Sequence, residues 1–328
     1  MQAEVDPHFF PYSVVFEIGG VVERGTLMQN VSVIMPCFNH GRFVAESVKG
    51  ILSQTAEDLE LIIIDDCSSD NSWDVIQSLA AKNPRIKAIR HEQNRGASKS
   101  RNDGLCVANG RFIGFCDADD IWEPQKLRRQ LNLLAENPGY DVVYCDASII
   151  DENGRSTGQR FSQRFPPPQP ASGWLFPHLI RRNFINMQSV LMRKECTQSA
   201  ACFDEGIKWV EDWWYWVRLS RHHRFLYSRE PLAKYRVHGR STNLVQKRGG
   251  CLNRFKVYHR ILQQYPDLPP SARSEVVYNM GAELCDIGNK RSGRRLLRGT
   301  IKLSMTDPRA FVTFCRALRR LVLEALVR

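Results

Sequence analysis

From Val31 to Cys145, short apolar runs alternate with stretches in which apolar residues recur every three or four positions. Val31–Pro36, Leu59–Ile64, Ile86–Ile89, Arg111–Cys116 and Val142–Cys145 have the length and composition of buried strands. Between them, Val44, Val48, Ile51 and Leu52 mark one helical face, and Trp73, Ile76 and Leu79 mark another. Ala97–Ala108 and the set Leu127, Leu131 and Leu134 give two more helices. This alternation predicts a parallel, doubly wound sheet. Right-handed crossovers then bring the carboxyl ends of the strands to one edge, where such sheets bind ligands. Polar clusters follow strand after strand there: Cys37–Gly41, Asp65–Asp70, Asn94–Gly96 and Asp117–Asp120.

Beyond Cys145 the pattern is less regular. Asp151–Ser172, with Gly154, Gly158 and Pro166–Pro168, reads as a surface loop. Gly173–Arg182 and Glu211–Ser220 read as helices, Ser189–Met192 and Phe225–Tyr227 as strands, and everything after about Gly250 as helical. In the last helix, Arg309–Arg328, the residues Phe311, Cys315, Leu318, Val322 and Ala325 share a face flanked by Arg316, Arg319 and Arg320. Such a helix binds a membrane surface or a partner, or docks on the protein's own body. Residues 1–29 carry only the patch Val14–Ile18 and read as an added arm.

Composition narrows the field. The chain of 328 residues is 43% hydrophobic and 25% charged, enough for a large core. Its net charge of +11 is uneven: Lys290–Arg328 holds eleven Lys and Arg against Asp307 and Glu324, a local +9 that attracts phosphates or anionic lipid. The acidic sheet edge disfavours nucleic acid as a partner. Ten scattered cysteines without a CxxC pair fit a reducing compartment better than a disulfide framework or a zinc site. No apolar segment approaches the ~20 residues that span a bilayer, and the first residues lack a signal-peptide layout. The expectation is a cytoplasmic protein that can sit peripherally on the inner face of the cell membrane.

The sharpest chemical feature is RFIGFCDADDIWEP, Arg111–Pro124, where an apolar strand ends in Asp117, Asp119 and Asp120. One acid can cap the helix that begins near Glu123, but three crowded carboxylates call for a cation, and a divalent metal with oxygen ligands answers that need. Trp213, Trp214 and Trp216 cannot all face one way on a helix, so at least one packs inside and another is available to stack on a ligand.

VSVIMPCFN, LIIIDDCSSDNS, NRGASKSRNDG, FCDADDIW, WVEDWWYWVRL and YRVHGRST, in that order over residues 31–243, resemble the family-2 glycosyltransferases of the GT-A fold. The resemblance implies an α/β protein: a Rossmann-like, mostly parallel twisted sheet flanked by helices, with a helical C-terminal extension. It divides the chain into an N-terminal extension (1–29), a glycosyltransferase domain (30–249) and a basic helical region (250–328). Within the domain, 30–122 is the nucleotide-binding half and 123–249 the acceptor-side half.

It also implies roles. Pro36, Cys37, Asn39, Asp65 and Asp66 border the base and ribose; Asn94, Gly96 and Arg101 approach the diphosphate or donor sugar. Asp117, Ala118 and Asp119 form the DxD motif, with Asp117 on ribose and sugar. Asp119 and His238 hold Mn²⁺ or Mg²⁺, and Arg236 reaches the diphosphate. Asp212 is the general base and Glu211 holds the acceptor hydroxyl. The implied activity is metal-dependent, inverting transfer of a hexosyl or N-acetylhexosaminyl group from a nucleotide-diphosphate sugar, UDP-linked first of all. The acceptor is a hydroxyl on a glycan, lipid-linked sugar or protein in surface polysaccharide, glycolipid or glycoprotein synthesis. Two rivals share parts of this pattern. A sugar nucleotidyltransferase would not need Asp212 and would carry a Gly-rich first loop in place of CFNHGRF; a silent binding module would have lost an acid, and none is lost.

Overall fold

The computed structural model describes residues 30–239 and 247–326; the arm at 1–29, Arg240–Thr242 of the last motif and residues 327–328 lie outside the described residues. The first half follows the periodicity: β1 (Val31–Cys37), α1 (Val44–Leu52), β2 (Leu59–Asp65), α2 (Ser72–Lys82), β3 (Ile86–Arg90), α3 (Ala97–Val107) and β4 (Phe112–Phe115). Then come β5 (Ile121–Trp122), α4 (Lys126–Glu136), β6 (Val142–Ile150), β7 (Ser156–Arg160), the short α5 (Phe161–Arg164) and α6 (Phe176–Leu179), β8 (Val190–Arg193), α7 (Cys196–Ala200), α8 (Glu211–Ser220) and β9 (Phe225–Arg236). Four helices close the chain: α9 (Lys247–Gln264), α10 (Pro270–Asp286), α11 (Lys290–Ser304) and α12 (Phe311–Leu326). No helix among the described residues is long and apolar enough to cross a membrane.

The strands form one sheet in the order β3-β2-β1-β4-β8-β6-β9-β5, with β7 added on β6. β3, β2, β1 and β4 are parallel, as the alternation with helices requires. β8 then enters antiparallel between β4 and β6, and β5 and β7 are also antiparallel to their neighbours, so the sheet is mixed beyond β4. Successive side chains on β1 and β2 enter opposite layers. Ile34, Ile62 and Ile64 join Phe115 and the aromatic layer of α8, whereas Val33, Met35, Leu61 and Ile63 join Val44, Val48, Ile51 and Leu127. Burial on both faces explains why these strands read as nearly continuous apolar runs.

Three departures from the sequence reading have clear causes. β7 lies inside the expected loop because Ser156–Arg160 is polar and exposed throughout, with no alternation to betray it. β9 runs nine residues past Tyr227. Its apolar pattern breaks at Ser228–Pro231, where the ladder to β6 shifts register around Asp146 and Pro231. None of Asp117, Asp119 and Asp120 caps α4, which starts at Lys126 without a side-chain cap.

Two features fix the base of the sheet edge. The backbone N–H groups of Asn109 and Gly110 donate to Glu60 (2.7 Å) and Ser32 (2.7 Å), which docks the turn before β4 onto β1 and β2. A Cβ on Gly110 would meet the Ser32 nitrogen at 2.4 Å, so only glycine permits that approach. Trp122 lies over Gly114 on one side, and the Lys126 ammonium sits 3.7 Å from its ring centroid. Packing is therefore the role of Trp122.

Candidate active site

The loops after β1, β2 and β3 are cross-braced. Asn39, at φ 57°, turns the chain, and its side-chain oxygen accepts from Ser69 N (2.8 Å) and Asp70 N (3.3 Å). Asp65 is fully buried and pairs with Arg90 at 3.3 Å. Asp66 accepts from the N–H groups of Arg95 (2.8 Å) and Gly96 (2.7 Å), and the His91 ring lies 2.7 Å from it. Asp66 thus holds the turn at 94–96 in place. His91 also reaches Asp103 at 3.0 Å. At Gly96, φ 86° and ψ 161° suit glycine alone, and the space a Cβ would fill is open. Pro36 and Cys37 end β1; burial pushes the Cys37 thiol up to about 12, so it contributes backbone and not chemistry. Phe38, next in line, is exposed.

The DxD loop joins β4 to β5. Ala118 is buried, and its carbonyl accepts from Ser47 on α1 at 2.9 Å. Asp120 accepts from the Arg236 backbone N–H (2.8 Å); burial, then Asp119 and Asp117, raise its carboxyl well above the usual range. Asp119 lies 2.9 Å from Nε2 of His238. Burial alone would raise its carboxyl, but the His238 hydrogen bond and the nearby charge of His40 and His238 hold it below the usual range. Donor atoms of His40, Asp119 and His238 lie within 4.8 Å of one another. Two imidazoles and a carboxylate at that spacing fit one divalent cation, with further coordination positions for phosphate oxygens. His40 was not among the sequence candidates, because a polar residue in a turn carries no periodic signal; its place on the first edge loop was the only hint.

Arg236 departs from expectation. It is buried, and its guanidinium donates to the Asp119 carbonyl (2.7 Å), Glu46 (2.6 Å) and the carbonyls of Asp151 and Glu152 (3.3 and 3.4 Å). Every guanidinium nitrogen is committed, so Arg236 braces the DxD loop and does not reach for a diphosphate.

Arg101 is 4% exposed, donating to Asp117 (2.7 Å) and Glu211 (2.7 Å) at once. This one guanidinium ties the DxD motif to the first residue of α8. Asp117 is raised by burial, an effect Arg101 opposes and Asp119 adds to. Next to Glu211, Asp212 is half-buried and accepts from Asn183 (3.0 Å) and its neighbour Trp213 N (2.7 Å). Burial first, then the charge of Glu211, push the Asp212 carboxyl up to about 7. Asn183 sits in an irregular segment and had no sequence signal.

Trp213, Trp214 and Trp216 are all buried, so none is free to stack on a sugar. Among the described residues the exposed tryptophans are Trp209, held at φ 66° just before α8, and Trp174. A bulky residue in that backbone region costs about 1–3 kcal/mol, strain that gathers at functional sites.

Residues 32–194 match the family described as glycosyl transferase family 2. The chain belongs to that family. An uncharacterized glycosyltransferase of Rickettsia typhi is 25% identical over 319 residues, covering 93% of each chain. The chain spans 93% of that relative's length but 33% of that of an uncharacterized glycosyltransferase of Rickettsia bellii, to which it is 29% identical over 236 residues. Among solved structures, TarS 1–349 of S. aureus in complex with UDP-GlcNAc superposes with a TM-score of 0.60 at 18% identity, covering 89% of this chain and 90% of that one. The mannosyltransferase PcManGT of Pyrobaculum calidifontis, in complex with GDP-Man and Mn²⁺, gives 0.58 at 15% identity, covering 92% and 88%. At these identities the likeness shows the fold, a GT-A fold with a helical C-terminal region.

In this family-2 chain the bridge at Arg101 is the testable joint. Arg101→Met leaves two acids without their shared partner and is expected to cost about 3 kcal/mol, the low end for a broken buried pair because Asp117 is partly exposed and can take up a proton. Urea unfolding at pH 7 measures it; an unchanged midpoint would show the bridge to be idle.

Proposed function

We propose that this glycosyltransferase moves a sugar from a nucleoside-diphosphate donor to an acceptor hydroxyl with inversion, using Asp212 as general base. The observation that carries the reading is the Arg101 bridge, which fixes the helix bearing Asp212 against the acid that faces the donor. In the reaction, Asp212 takes the acceptor proton while the hydroxyl oxygen attacks the anomeric carbon. The bond from that carbon to the diphosphate oxygen breaks, and its electron pair leaves on the nucleoside diphosphate. A single displacement of this kind inverts the centre. Glu211, held by Arg101, orients the acceptor, and Trp209 offers it an aromatic face.

Asp119, His238 and His40 would hold the cation, and nitrogen ligands favour Mn²⁺ over Mg²⁺. Such a cation supplies stabilisation of the negative charge that develops on the departing diphosphate. The base loop at Pro36–Asn39 and the backbone at 94–96 border the nucleotide, with Asp65 and Asp66 behind them. Neighbours crystallised with UDP-GlcNAc and GDP-Man support a hexosyl or N-acetylhexosaminyl donor, with UDP as the first nucleotide to try.

The acceptor side extends to a membrane. On α12 the residues that pack inward are the small Thr313 and Ala317, while Phe311, Val312, Leu318, Val322 and Leu323 are exposed. On α11, Arg291, Arg295, Arg298 and Lys302 are exposed at helical spacing. An apolar stripe beside a cationic one suits an anionic bilayer surface, where a lipid-linked acceptor is presented. The enzyme would then work at the inner face of the cell membrane.

Three measurements test these readings. Asp212→Asn should lower kcat/KM by ~10²–10⁴-fold in a product assay across UDP-, GDP- and dTDP-sugars with Mn²⁺, leaving UDP binding intact. Because the carboxylate is the active form and titrates at about 7, kcat/KM of the wild type should fall as pH drops through that value. A flat profile, or an active Asp212→Asn, would remove Asp212 from the role. For the membrane, the protein should sediment with phosphatidylglycerol vesicles and not with phosphatidylcholine ones, and the double change Leu318→Glu with Val322→Glu should abolish this; equal binding to both lipids would overturn it.

A further inference from the structure

Away from the donor edge, three residues remote in sequence converge. They are Asp141 just before β6, Cys196 at the start of α7, and His223 just after α8. Their donor atoms lie within 4.8 Å of one another. Nδ1 of His223 is 2.9 Å from Asp141 Oδ2 and 3.7 Å from Cys196 Sγ. Tetrahedral zinc, with Zn–S of ~2.3 Å and Zn–N and Zn–O of ~2.0–2.2 Å, places its ligand atoms roughly 3.3–3.6 Å apart, which these spacings bracket. We propose that Asp141, Cys196 and His223 form a zinc site, with solvent in the fourth position.

Ser199 decides which nitrogen of His223 faces the metal. Its Oγ lies 2.9 Å from the Cys196 carbonyl, to which it can donate, and 2.6 Å from Nε2 of His223, from which it can then accept. That arrangement puts the ring proton on Nε2 and leaves the Nδ1 lone pair facing the Asp141 carboxylate and the thiol. Two acceptors 2.9 Å apart repel, and a cation between them removes the conflict. An outer partner that fixes the tautomer of a ligating histidine is the usual companion of a zinc ligand. The same atoms also line up as Ser199, His223 and Asp141 in a relay, but that reading leaves Cys196, buried and against Nδ1, without a part.

The charges close. Arg193 lies 4.0 Å from the other oxygen of Asp141, so one carboxylate oxygen remains for the metal. Binding replaces the thiol proton by the Zn–S bond and releases that proton to solvent, so affinity rises with pH. The site would clasp β6, α7 and the far end of α8, the helix whose first residues are Glu211 and Asp212. It escaped the cysteine spacing because its ligands come from three separate segments. The inference stands apart from sugar transfer and survives its failure.

Cobalt is the probe. Titrating Co²⁺ into the chelator-treated full chain should produce a saturable sulfur-to-cobalt charge-transfer band, and Zn²⁺ should bleach it. Cys196→Ser and His223→Gln, each checked for folding by circular dichroism, should remove the band, while His238→Ala keeps it. Ser199→Ala should weaken binding ~10–100-fold through the lost tautomer control. No sulfur band in the folded wild type, or a band that persists in Cys196→Ser, would overturn the proposal.

Discussion

One buried guanidinium governs this enzyme's geometry. Arg101 stands between Asp117, at the end of a strand in the parallel half of the sheet, and Glu211, at the start of a helix about a hundred residues further on. Taking a cation and two carboxylates out of water is costly, and such a cluster is a poor way to gain stability. Its value lies in position: it joins the loop after β4 to the first turn of α8. The surrounding hydrogen bonds serve the same end. Arg236 braces the DxD loop from behind, Asp66 braces the loop at 94–96, and Asn183 holds Asp212.

The electrostatics follow from that arrangement. Asp117, Asp119 and Asp120 crowd one another, and the protein balances them unequally. Asp120 is raised and sealed against backbone, Asp119 is kept low by two histidines, and Asp117 shares Arg101. Asp212 lies beyond these partners, next to Glu211, and the push to about 7 makes it the acid in this set suited to proton transfer near neutrality.

β1, β2 and β4, and the acids that follow β2 and β4, were legible because burial on both faces leaves nearly continuous apolar text, and because turn residues must sit at strand ends. β7 and the second half of β9 were not, since edge strands and bulged strands need no apolar rhythm. In the site, the acids could be read and their partners could not. Nothing local marks Arg101 as buried, because α3 has almost no apolar face and the arginine's partners come from other segments. Arg236 was misassigned for the converse reason: a charged residue near a site looks like a ligand contact until its donors are counted. In α12 the apolar residues named the face accurately but not its fate. Small residues do the packing and the large ones stay in solvent, a distinction that depends on how closely α10 and α11 approach.

The central claim is that a nucleotide and a divalent cation bind together at this edge. Calorimetric titration of UDP and GDP into the full chain, each with and without Mn²⁺, tests it directly. The account predicts that one nucleotide binds tightly with Mn²⁺ and weakly without it, and that His238→Ala erases the difference. Nucleotide affinity indifferent to Mn²⁺, or no binding by folded protein, would contradict it.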